Sequence, residues 1–149
     1  MQVRVLWIGK TRLPGVATLA EEYGKRLGRF CDFQAEEVHS KRKSRGGADL
    51  EAALLARSES CYRVALDPAG SRWTSEEFAR FLREFRDRGQ QGVAFCVGGA
   101  EGFSDQFRQK ADMLLSLSPM TLPHELARIV LLEQIYRAFT LLAHHPYPR

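Results

Sequence analysis

The stretch LSLSPMTLPHELARIVLLEQIYRAF, from Leu115 to Phe139, decides the fold prediction because it places a strand, a turn and a long helix in direct succession. MLLSLS, which begins at Met113, is a short apolar run that predicts a strand. Pro123 suits the first turn of a helix, and the apolar spacing after it predicts a helix from about Pro123 to Ala143. The turn between strand and helix carries hydroxyl groups and two prolines and leads directly into His124, so it is the first candidate for a functional site.

Working outward from this stretch, strands and helices alternate along the whole chain. Further strands are predicted at Gln2–Gly9, Asp32–His39, Cys61–Asp67 and Gly92–Gly99. Helices are predicted from Gly15 onward, at Ala48–Arg57, after a capping box formed by Thr74 and Glu77, and near Ser104–Asp112. Pro68 and Gly70 are expected to stop the third strand. The pattern predicts one three-layer α/β domain over residues 1–149, with a mostly parallel sheet.

Composition excludes several classes of protein. The chain has 149 residues, of which 44% are hydrophobic and 27% charged, as in soluble globular proteins. It lacks an apolar run of the roughly 18 to 20 residues that a membrane span needs, and its start lacks the features of a signal peptide. We therefore expect a cytoplasmic protein without a membrane partner. Its three cysteines form no CxxC pair, so we expect small buried thiols, with neither a metal site nor disulfides.

The charge of the chain permits a nucleic-acid partner. Lys and Arg total 22 against 18 for Asp and Glu, which gives a net charge of +4. Positive charge is most densely clustered in the run KRKSR, beside Gly46 and Gly47. This run predicts a loop that binds phosphate, and the alternative is a solvated loop without a partner. The candidate RNA-binding residues are Lys41, Arg42, Lys43 and Arg45.

Ligands of open α/β sheets gather beyond the carboxyl ends of the strands, and three such ends are candidates here. They are ALDPAG (65–70), VGGAEG (97–102) and SLSPMTLPH (116–124). The glycines of the second allow close backbone approach to a ligand, although the motif is neither GxGxxG nor a P-loop and also fits a simple tight turn. The backbone of the third strand end can line the edge of a planar base, and its prolines reduce the entropy lost on binding.

Polar residues on the last helix and in the tail are further candidates. His124 and Arg128 stand four residues apart and so lie on one face of the helix. Glu133, Tyr136 and Arg137 are further polar positions on an otherwise apolar helix. Each also has an ordinary structural explanation. The ending HHPYPR (144–149) combines aromatic, imidazole and proline groups and predicts an ordered tail that docks, the alternative being a frayed terminus.

These motifs together carry a resemblance to a known family. GGAEG, followed by SLSPMTLPHELARIVLLEQIYRA and a final HPY, resembles the bacterial large-subunit ribosomal RNA pseudouridine methyltransferases of the SPOUT class, over essentially the whole chain. The resemblance implies methylation of ring nitrogen 3 of a pseudouridine in 23S rRNA, on the assembled ribosome, with S-adenosylmethionine as cofactor. It also implies a homodimer and a deep trefoil knot at the C-terminal end, a feature that few folds share.

The resemblance also implies roles for individual residues. Carried over by position, the cofactor contacts are Leu66, Gly98, Gly99, Leu117, Ser118, Pro119, Met120, Thr121 and Leu122. The catalytic candidates are His124, Arg128, Arg137, His145 and Tyr147. An arginine would stabilise negative charge as the imide proton of the base leaves, and a histidine or tyrosine would orient the base. Many relatives end in HPYH, whereas this chain has Pro148 in place of the last histidine.

Two other functions fit the same sequence features. The chain fits a non-catalytic RNA- or ribosome-binding module on the same scaffold, which need not bind S-adenosylmethionine. It also fits a different small-molecule α/β enzyme, whose activity would not depend on the basic run. Because a protein of this size has no separate RNA-binding domain, we expect an RNA methyltransferase of this type to read the shape of a large assembled substrate.

Overall fold

A computed structural model of the protein describes residues 1–39 and 47–148. In these ranges strands and helices alternate, as the sequence predicts. The strands are β1 (Gln2–Ile8), β2 (Asp32–Val38), β3 (Tyr62–Arg72), β4 (Gly92–Val97) and β5 (Met113–Ser116). The helices are α1 (Pro14–Leu27), α2 (Gly47–Arg57), α3 (Ser75–Asp87), α4 (Asp105–Gln109) and α5 (His124–Leu142). The predicted phosphate-binding run Lys41–Arg45 lies outside the described residues.

The strands form one sheet in the order β2-β1-β4-β3-β5, and each of its neighbouring pairs is parallel. The central strand, β4, is buried at all of its positions, as its continuous apolar run predicts for a strand covered on both faces. Because all strands run in one direction, their carboxyl ends meet at one edge of the sheet. The predicted parallel α/β architecture is therefore confirmed.

Alternate residues of β4 separate two cores and so define three layers. Val93, Phe95 and Val97 belong to a core shared with α1, α3 and α5. Ala94 and Cys96 belong to a second core on the opposite face, which α2 and α4 complete. On the first face, α5 packs against both α1 and α3. The longest helix of the described chain therefore runs across the middle of that face, with its first residue next to the carboxyl edge of the sheet.

The expected end of β3 at Pro68 and Gly70 is wrong. β3 pairs with β5 up to Leu66, bulges, and pairs with β5 again at Ser71 and Arg72. The bulge fits only because residue 70 is glycine: a Cβ there would lie 2.5 Å from the backbone carbonyl carbon of Leu114. Glycine therefore permits a close approach of two backbones here, and the strand passes over β5 instead of ending.

The ends of α3 and α4 depend on side-chain caps. The predicted capping box is confirmed: the backbone N–H of Glu77 donates to Thr74 Oγ1 (3.1 Å), and the Thr74 N–H donates to Glu77 Oε2 (2.7 Å). Ser104 caps α4 in the same manner by accepting from the N–H of Phe107. α4 ends at Gln109, earlier than the predicted Asp112, and β5 ends at Ser116, earlier than the predicted Ser118.

Three further findings bear on the expectations from composition. No helix in the described ranges is long and apolar enough to cross a membrane. Within the same ranges, no group of three His, Cys, Asp or Glu side chains is arranged to hold a metal ion. Cys96 is buried, whereas Cys31 and Cys61 are only partly buried, and all three are free thiols. Burial raises the pKa of Cys31 to about 11 and that of Cys96 to about 12, so both remain protonated near neutral pH.

Candidate active site

A cleft of about 680 Å³ opens at the carboxyl edge of the sheet. It is built by the three stretches singled out in the sequence, which are the bulge of β3 and the ends of β4 and β5, together with the first residues of α5. Among the residues predicted to hold a cofactor, those that line it are Leu66, Gly98, Gly99, Leu117, Ser118, Met120, Thr121 and Leu122. Pro119 does not line it. A cleft of this size suits a ligand as large as a nucleoside derivative.

The hydroxyl groups of the turn after β5 hold the turn in shape. Ser116 Oγ donates to the carbonyl oxygen of Ser118 (3.0 Å). The backbone N–H of Met120 donates to Ser118 Oγ (2.9 Å). These side chains are therefore committed to the loop itself, and backbone groups provide much of the polar edge that the turn offers to a ligand.

The second strand end forms a tight backbone cradle. A Cβ at Gly98 would lie 3.1 Å from the carbonyl carbon of Gly102, so the GGAEG turn has almost no room for a side chain there. Gly99 lies beside β1, because a Cβ at Gly99 would lie 3.5 Å from Ile8 Cγ2. The glycines predicted to allow close approach therefore stand where the turn is packed most closely.

An ion pair in the cleft wall was not predicted. Arg108 Nε, from α4, lies 3.1 Å from Asp67 Oδ2, at the end of the first stretch of β3, and both residues line the cleft. Asp67 Oδ1 also accepts from the backbone N–H of Ala69 (2.8 Å). Asp67 belongs to the ALDPAG strand end, which was a signal in the sequence. No local pattern identifies Arg108, because the two residues meet only through the tertiary fold.

Arg128 lies behind the cleft, with none of its surface exposed. Its guanidinium donates to the carbonyl oxygens of Ile8 (2.9 Å) and Gly9 (3.1 Å) and to Thr11 Oγ1 (3.1 Å), and it stands over the ring of Trp7. Burial lowers the pKa of Arg128, although an arginine remains charged at any physiological pH. Arg128 therefore joins α5 to the carboxyl end of β1 and does not reach the cleft.

Two carboxylates complete this junction. Glu125 Oε1 accepts from the backbone N–H groups of Arg12 (2.9 Å) and Leu13 (3.1 Å), and these bonds, led by that from Leu13, lower the pKa of Glu125. Glu37 Oε1 accepts from the N–H (2.9 Å) and the hydroxyl of Thr11. Burial alone would raise the pKa of Glu37, but the bonds from Thr11, together with a bond from Trp7 and the charge of Arg128, outweigh it and lower that pKa. Residues 9–13, the β1–α1 loop, are thus held by α5 and β2.

The tail folds back onto its own helix, so the docking predicted for it is confirmed within His144–Pro148. Tyr147 packs edge-on against Tyr136, with ring centroids 4.9 Å apart, and lies 4.8 Å from the guanidinium of Arg137. Arg137 also pairs with Glu133 (2.6 Å) and donates to the carbonyl oxygen of Pro148 (2.7 Å). These contacts form a network of side chains at the surface of the molecule.

The hydroxyl of Tyr147 is engaged in this network. It donates to Glu133 Oε1 (3.3 Å) and lies 3.5 Å from the hydroxyl of Tyr23. Burial, followed by the bond to Tyr23 and the charge of Glu133, raises the pKa of Tyr147 well above its ordinary value. Tyr147 is therefore a protonated donor at neutral pH, a state suited to positioning a group and unsuited to removing a proton.

Apart from the buried Arg128, the structure divides the catalytic candidates between two pockets. His124 lines the cleft. Arg137, His145 and Tyr147 line a second pocket of about 330 Å³, and no described residue lines both. Arg137 is 13 positions beyond His124 on α5, which corresponds to about 20 Å along the helix axis at 1.5 Å per residue. Within one chain, the tail residues and the cleft are therefore apart.

Comparison with known proteins identifies the family of the chain. Residues 1–148 match a family described as "Predicted SPOUT methyltransferase". The chain belongs to this family. The SPOUT resemblance noted in the sequence is thereby confirmed. The chain is 39% identical to the ribosomal RNA large subunit methyltransferase H of Geobacter sulfurreducens, over 99% of both chains. It is 45% identical to that of Anaeromyxobacter sp. strain Fw109-5, again over 99% of both chains.

Solved structures share the fold of this SPOUT methyltransferase at low sequence identity. A tRNA (m1G37) methyltransferase from Aquifex aeolicus superposes with a TM-score of 0.59 and 14% identity, over 100% of this chain and 75% of that one. A methyltransferase from Legionella pneumophila, in complex with bound cofactor SAM, superposes with a TM-score of 0.51 and 16% identity, over 93% of this chain and 66% of that one. These likenesses concern the fold alone.

Proposed function

We propose that this protein transfers a methyl group from S-adenosylmethionine to ring nitrogen 3 of a pseudouridine in 23S rRNA, on the assembled ribosome in the cytoplasm. The observation that carries the proposal is the cleft of about 680 Å³, which gathers almost every residue predicted to hold the cofactor. The names of the full-length relatives support ribosomal RNA of the large subunit as the substrate.

The cleft fits the cofactor by its chemistry as well as its volume. The turn after β5 presents backbone groups that can line the edge of the adenine ring, because its serine hydroxyls are engaged within the turn. Gly98 and Gly99 offer a backbone surface without side chains, and Leu66 offers an apolar wall. When bound, S-adenosylmethionine supplies an electrophilic methyl group on a sulfonium. The protein residues supply binding and alignment, from which much of the rate of such a transfer derives.

The residues around the base have different tasks in this proposal. His124, in the cleft lining, orients the base. Arg137 stabilises the negative charge that develops on the base oxygens as the imide proton passes to solvent water. Tyr147 and His145 help to position the base. Arg128 holds the β1–α1 loop against α5 and is a positioning residue, because its guanidinium is fully buried behind the cleft.

A homodimer fits the division between cleft and tail. Because Arg137, His145 and Tyr147 lie far from the cleft of their own chain, the tail of a second copy is needed to bring such groups to it. Large hydrophobic side chains are exposed at the beginnings of α1 and α5, including Leu13 (52% exposed) and Leu126 (47%). Leu13 precedes α1 and is bound through its N–H by Glu125, the neighbour of Leu126. These leucines provide an apolar surface on which the second copy can pack.

The trefoil knot also belongs to this proposal. Its support is the close passage of β3 over β5, where Gly70 leaves no room for a Cβ against Leu114, and the fold shared with the tRNA (m1G37) methyltransferase. In the same proposal, Lys41, Arg42, Lys43 and Arg45 contact rRNA phosphates, so the affinity for ribosomes falls as the salt concentration rises.

Incubation of the purified protein with ribosomes and labelled S-adenosylmethionine tests the function. Label in a methylated pseudouridine of 23S rRNA supports it, and calorimetry should show cofactor binding. Absence of both label and cofactor binding would favour a non-catalytic ribosome-binding module. Deletion of residues 144–149 should abolish the transfer and leave the cofactor affinity unchanged within about twofold. If the deletion also abolishes cofactor binding, the tail has another role.

A further inference from the structure

The β1–α1 loop (residues 9–13) is held more firmly than a simple connection requires. Gly9 has a φ of +98°, a left-handed conformation that glycine adopts without strain. Its carbonyl oxygen and that of Ile8 accept from the buried guanidinium of Arg128. The backbone N–H groups of Thr11, Arg12 and Leu13 donate to carboxylates from β2 and α5. The fold thus fixes the path of the backbone from both sides.

The side chains that this fixed backbone carries outward are cationic. Lys10 and Arg12 are exposed, and within the described part of the chain neither side chain has an ion-pair or hydrogen-bond partner. The nearby carboxylates of Glu37 and Glu125 are turned onto the loop's own N–H groups and share the charge of Arg128. Two cations therefore face solvent from a loop whose conformation is already set by the fold.

The loop borders the cleft. Ile8, which precedes it, lies beside Gly99 of the cleft lining, where an added Cβ would come within 3.5 Å of Ile8 Cγ2. On its other side, Glu125 holds the N–H of Arg12 and directly follows His124, which lines the cleft. The loop consequently lies beside the cleft, at the carboxyl edge of the sheet. It is separate in sequence from the basic run Lys41–Arg45.

We propose that Lys10 and Arg12 bind the phosphodiester backbone of the substrate rRNA beside the nucleotide that enters the cleft. The inference rests on the proposed function for the identity of the RNA. Cations on a rigid loop bind phosphate with less entropy lost than cations on a mobile one. Such contacts carry no sequence information, but they fix the register of the strand, which is what a cleft that accepts a single base requires.

The test compares two double variants of equal charge change. Lys10→Ala/Arg12→Ala removes the proposed contacts, and Arg80→Ala/Arg83→Ala removes two exposed cations of α3 as the matched control. Ribosome binding is measured by sedimentation over a range of salt concentrations. The first variant should bind about tenfold more weakly near physiological salt, and the slope of log affinity against log salt should fall by about two relative to the wild type, one for each phosphate that is no longer neutralised. The control should keep the wild-type slope.

Cofactor binding and methyl transfer are measured on the same samples. The Lys10→Ala/Arg12→Ala variant should keep its S-adenosylmethionine affinity within about twofold while the kcat/KM for ribosomes falls. Lys10→Arg/Arg12→Lys, which retains both charges, should restore most of the binding. Equal salt slopes in the two Ala variants would overturn the inference, as would loss of cofactor affinity in the first. If the wild type transfers no methyl group but the slopes differ as expected, the proposed function fails and the phosphate contacts stand.

Discussion

The first and last turns of α5 use similar residues in opposite ways. At the first turns, Arg128 is fully buried and donates to backbone carbonyls at the end of β1. At the last turns, Arg137 keeps part of its side chain exposed, pairs with Glu133 and stacks against Tyr147 of the tail. The first arrangement ties the helix to the sheet, whereas the second ties side chains to one another at the surface.

This difference separates stability from substrate handling. When a buried guanidinium or its partners are removed, the free energy of unfolding falls by several kcal/mol. A partly exposed ion pair contributes about 1 kcal/mol or less. The first turns of α5 should therefore determine whether the cleft exists, and the last turns should affect turnover with little effect on folding.

The largest effect is expected for Arg128→Ala. This change removes the hydrogen bonds to Ile8, Gly9 and Thr11. It leaves the partly buried carbonyl groups of Ile8 and Gly9 without their donor and empties the space of a large, fully buried side chain, so the free energy of unfolding should fall by about 3–5 kcal/mol. Urea unfolding measures the decrease. Arg128→Lys should recover only part of it, since an ammonium cannot reproduce the planar fork of donors. Arg137→Ala is the matched control, with an expected decrease of about 1 kcal/mol or less. Equal decreases in the free energy of unfolding in the two Ala variants would contradict the proposed difference between the first and last turns of α5.

A second, smaller effect is expected for Gly70→Ala, which tests how closely the cleft is packed. The added methyl group would meet the backbone of Leu114 at 2.5 Å, so β5 must move and the free energy of unfolding should fall by about 1–3 kcal/mol. The turn after β5 would move with the strand, and calorimetry should show S-adenosylmethionine binding at least about tenfold more weakly. Gly15→Ala, in α1 with no atom within 4 Å of the added Cβ, is the control and should keep full affinity. Unchanged affinity in Gly70→Ala would show that β5 does not position the cofactor.

At the tail, Tyr147→Phe should have only a modest effect on folding. It removes the hydrogen bond to Glu133 and the contact with Tyr23 while it keeps the ring against Tyr136. The free energy of unfolding should fall by about 0.5–1.5 kcal/mol. Methyl transfer should decrease and cofactor affinity should stay the same. Tyr23→Phe, which leaves the bond of Tyr147 to Glu133 intact, controls for removal of the interaction between the two hydroxyls. A drop in cofactor affinity in Tyr147→Phe would contradict this division, because the tail would then also help to bind the cofactor.

The smallest effect concerns acid stability at the first turns of α5. The folded pKa of Glu125 is lowered by the N–H groups that it accepts from. Its contribution to stability is therefore complete above the ordinary carboxyl pKa of about 4.3 and is lost as the pH falls through the lowered folded value. Glu125→Gln should be less stable than the wild type at pH 7, and the gap should narrow as the pH falls from about 5 to 3. Glu59→Gln, an exposed carboxylate outside this junction, controls for the change in net charge. A gap that stays constant over this range would contradict the linkage.

The sequence predicted those features that depend on neighbouring residues. Apolar periodicity predicted the alternation of elements, and the carboxyl ends of the strands predicted where the cleft lies. The sequence also predicted the Thr74–Glu77 capping box, because both partners lie within one helical turn.

Features that depend on distant residues were not predictable in this way. Arg128 and Arg137 look alike on the helix, and the partner that distinguishes them, the carbonyl of Ile8, is 120 positions from Arg128. Pro68 and Gly70 carry the ordinary signal for a strand end, and only the renewed pairing with β5 overrides it. The ion pair between Asp67 and Arg108 likewise forms only when α4 packs near the end of β3.

The central claim is that this SPOUT methyltransferase modifies a pseudouridine of 23S rRNA, and nucleoside mass spectrometry of that RNA tests it most directly. The RNA is taken from cells that lack the protein and from the same cells supplied with the wild type or with the form lacking residues 144–149. One methylated pseudouridine should be missing without the protein, return with the wild type and stay missing with the truncated form. The same set of modified nucleosides with and without the protein would contradict the claim.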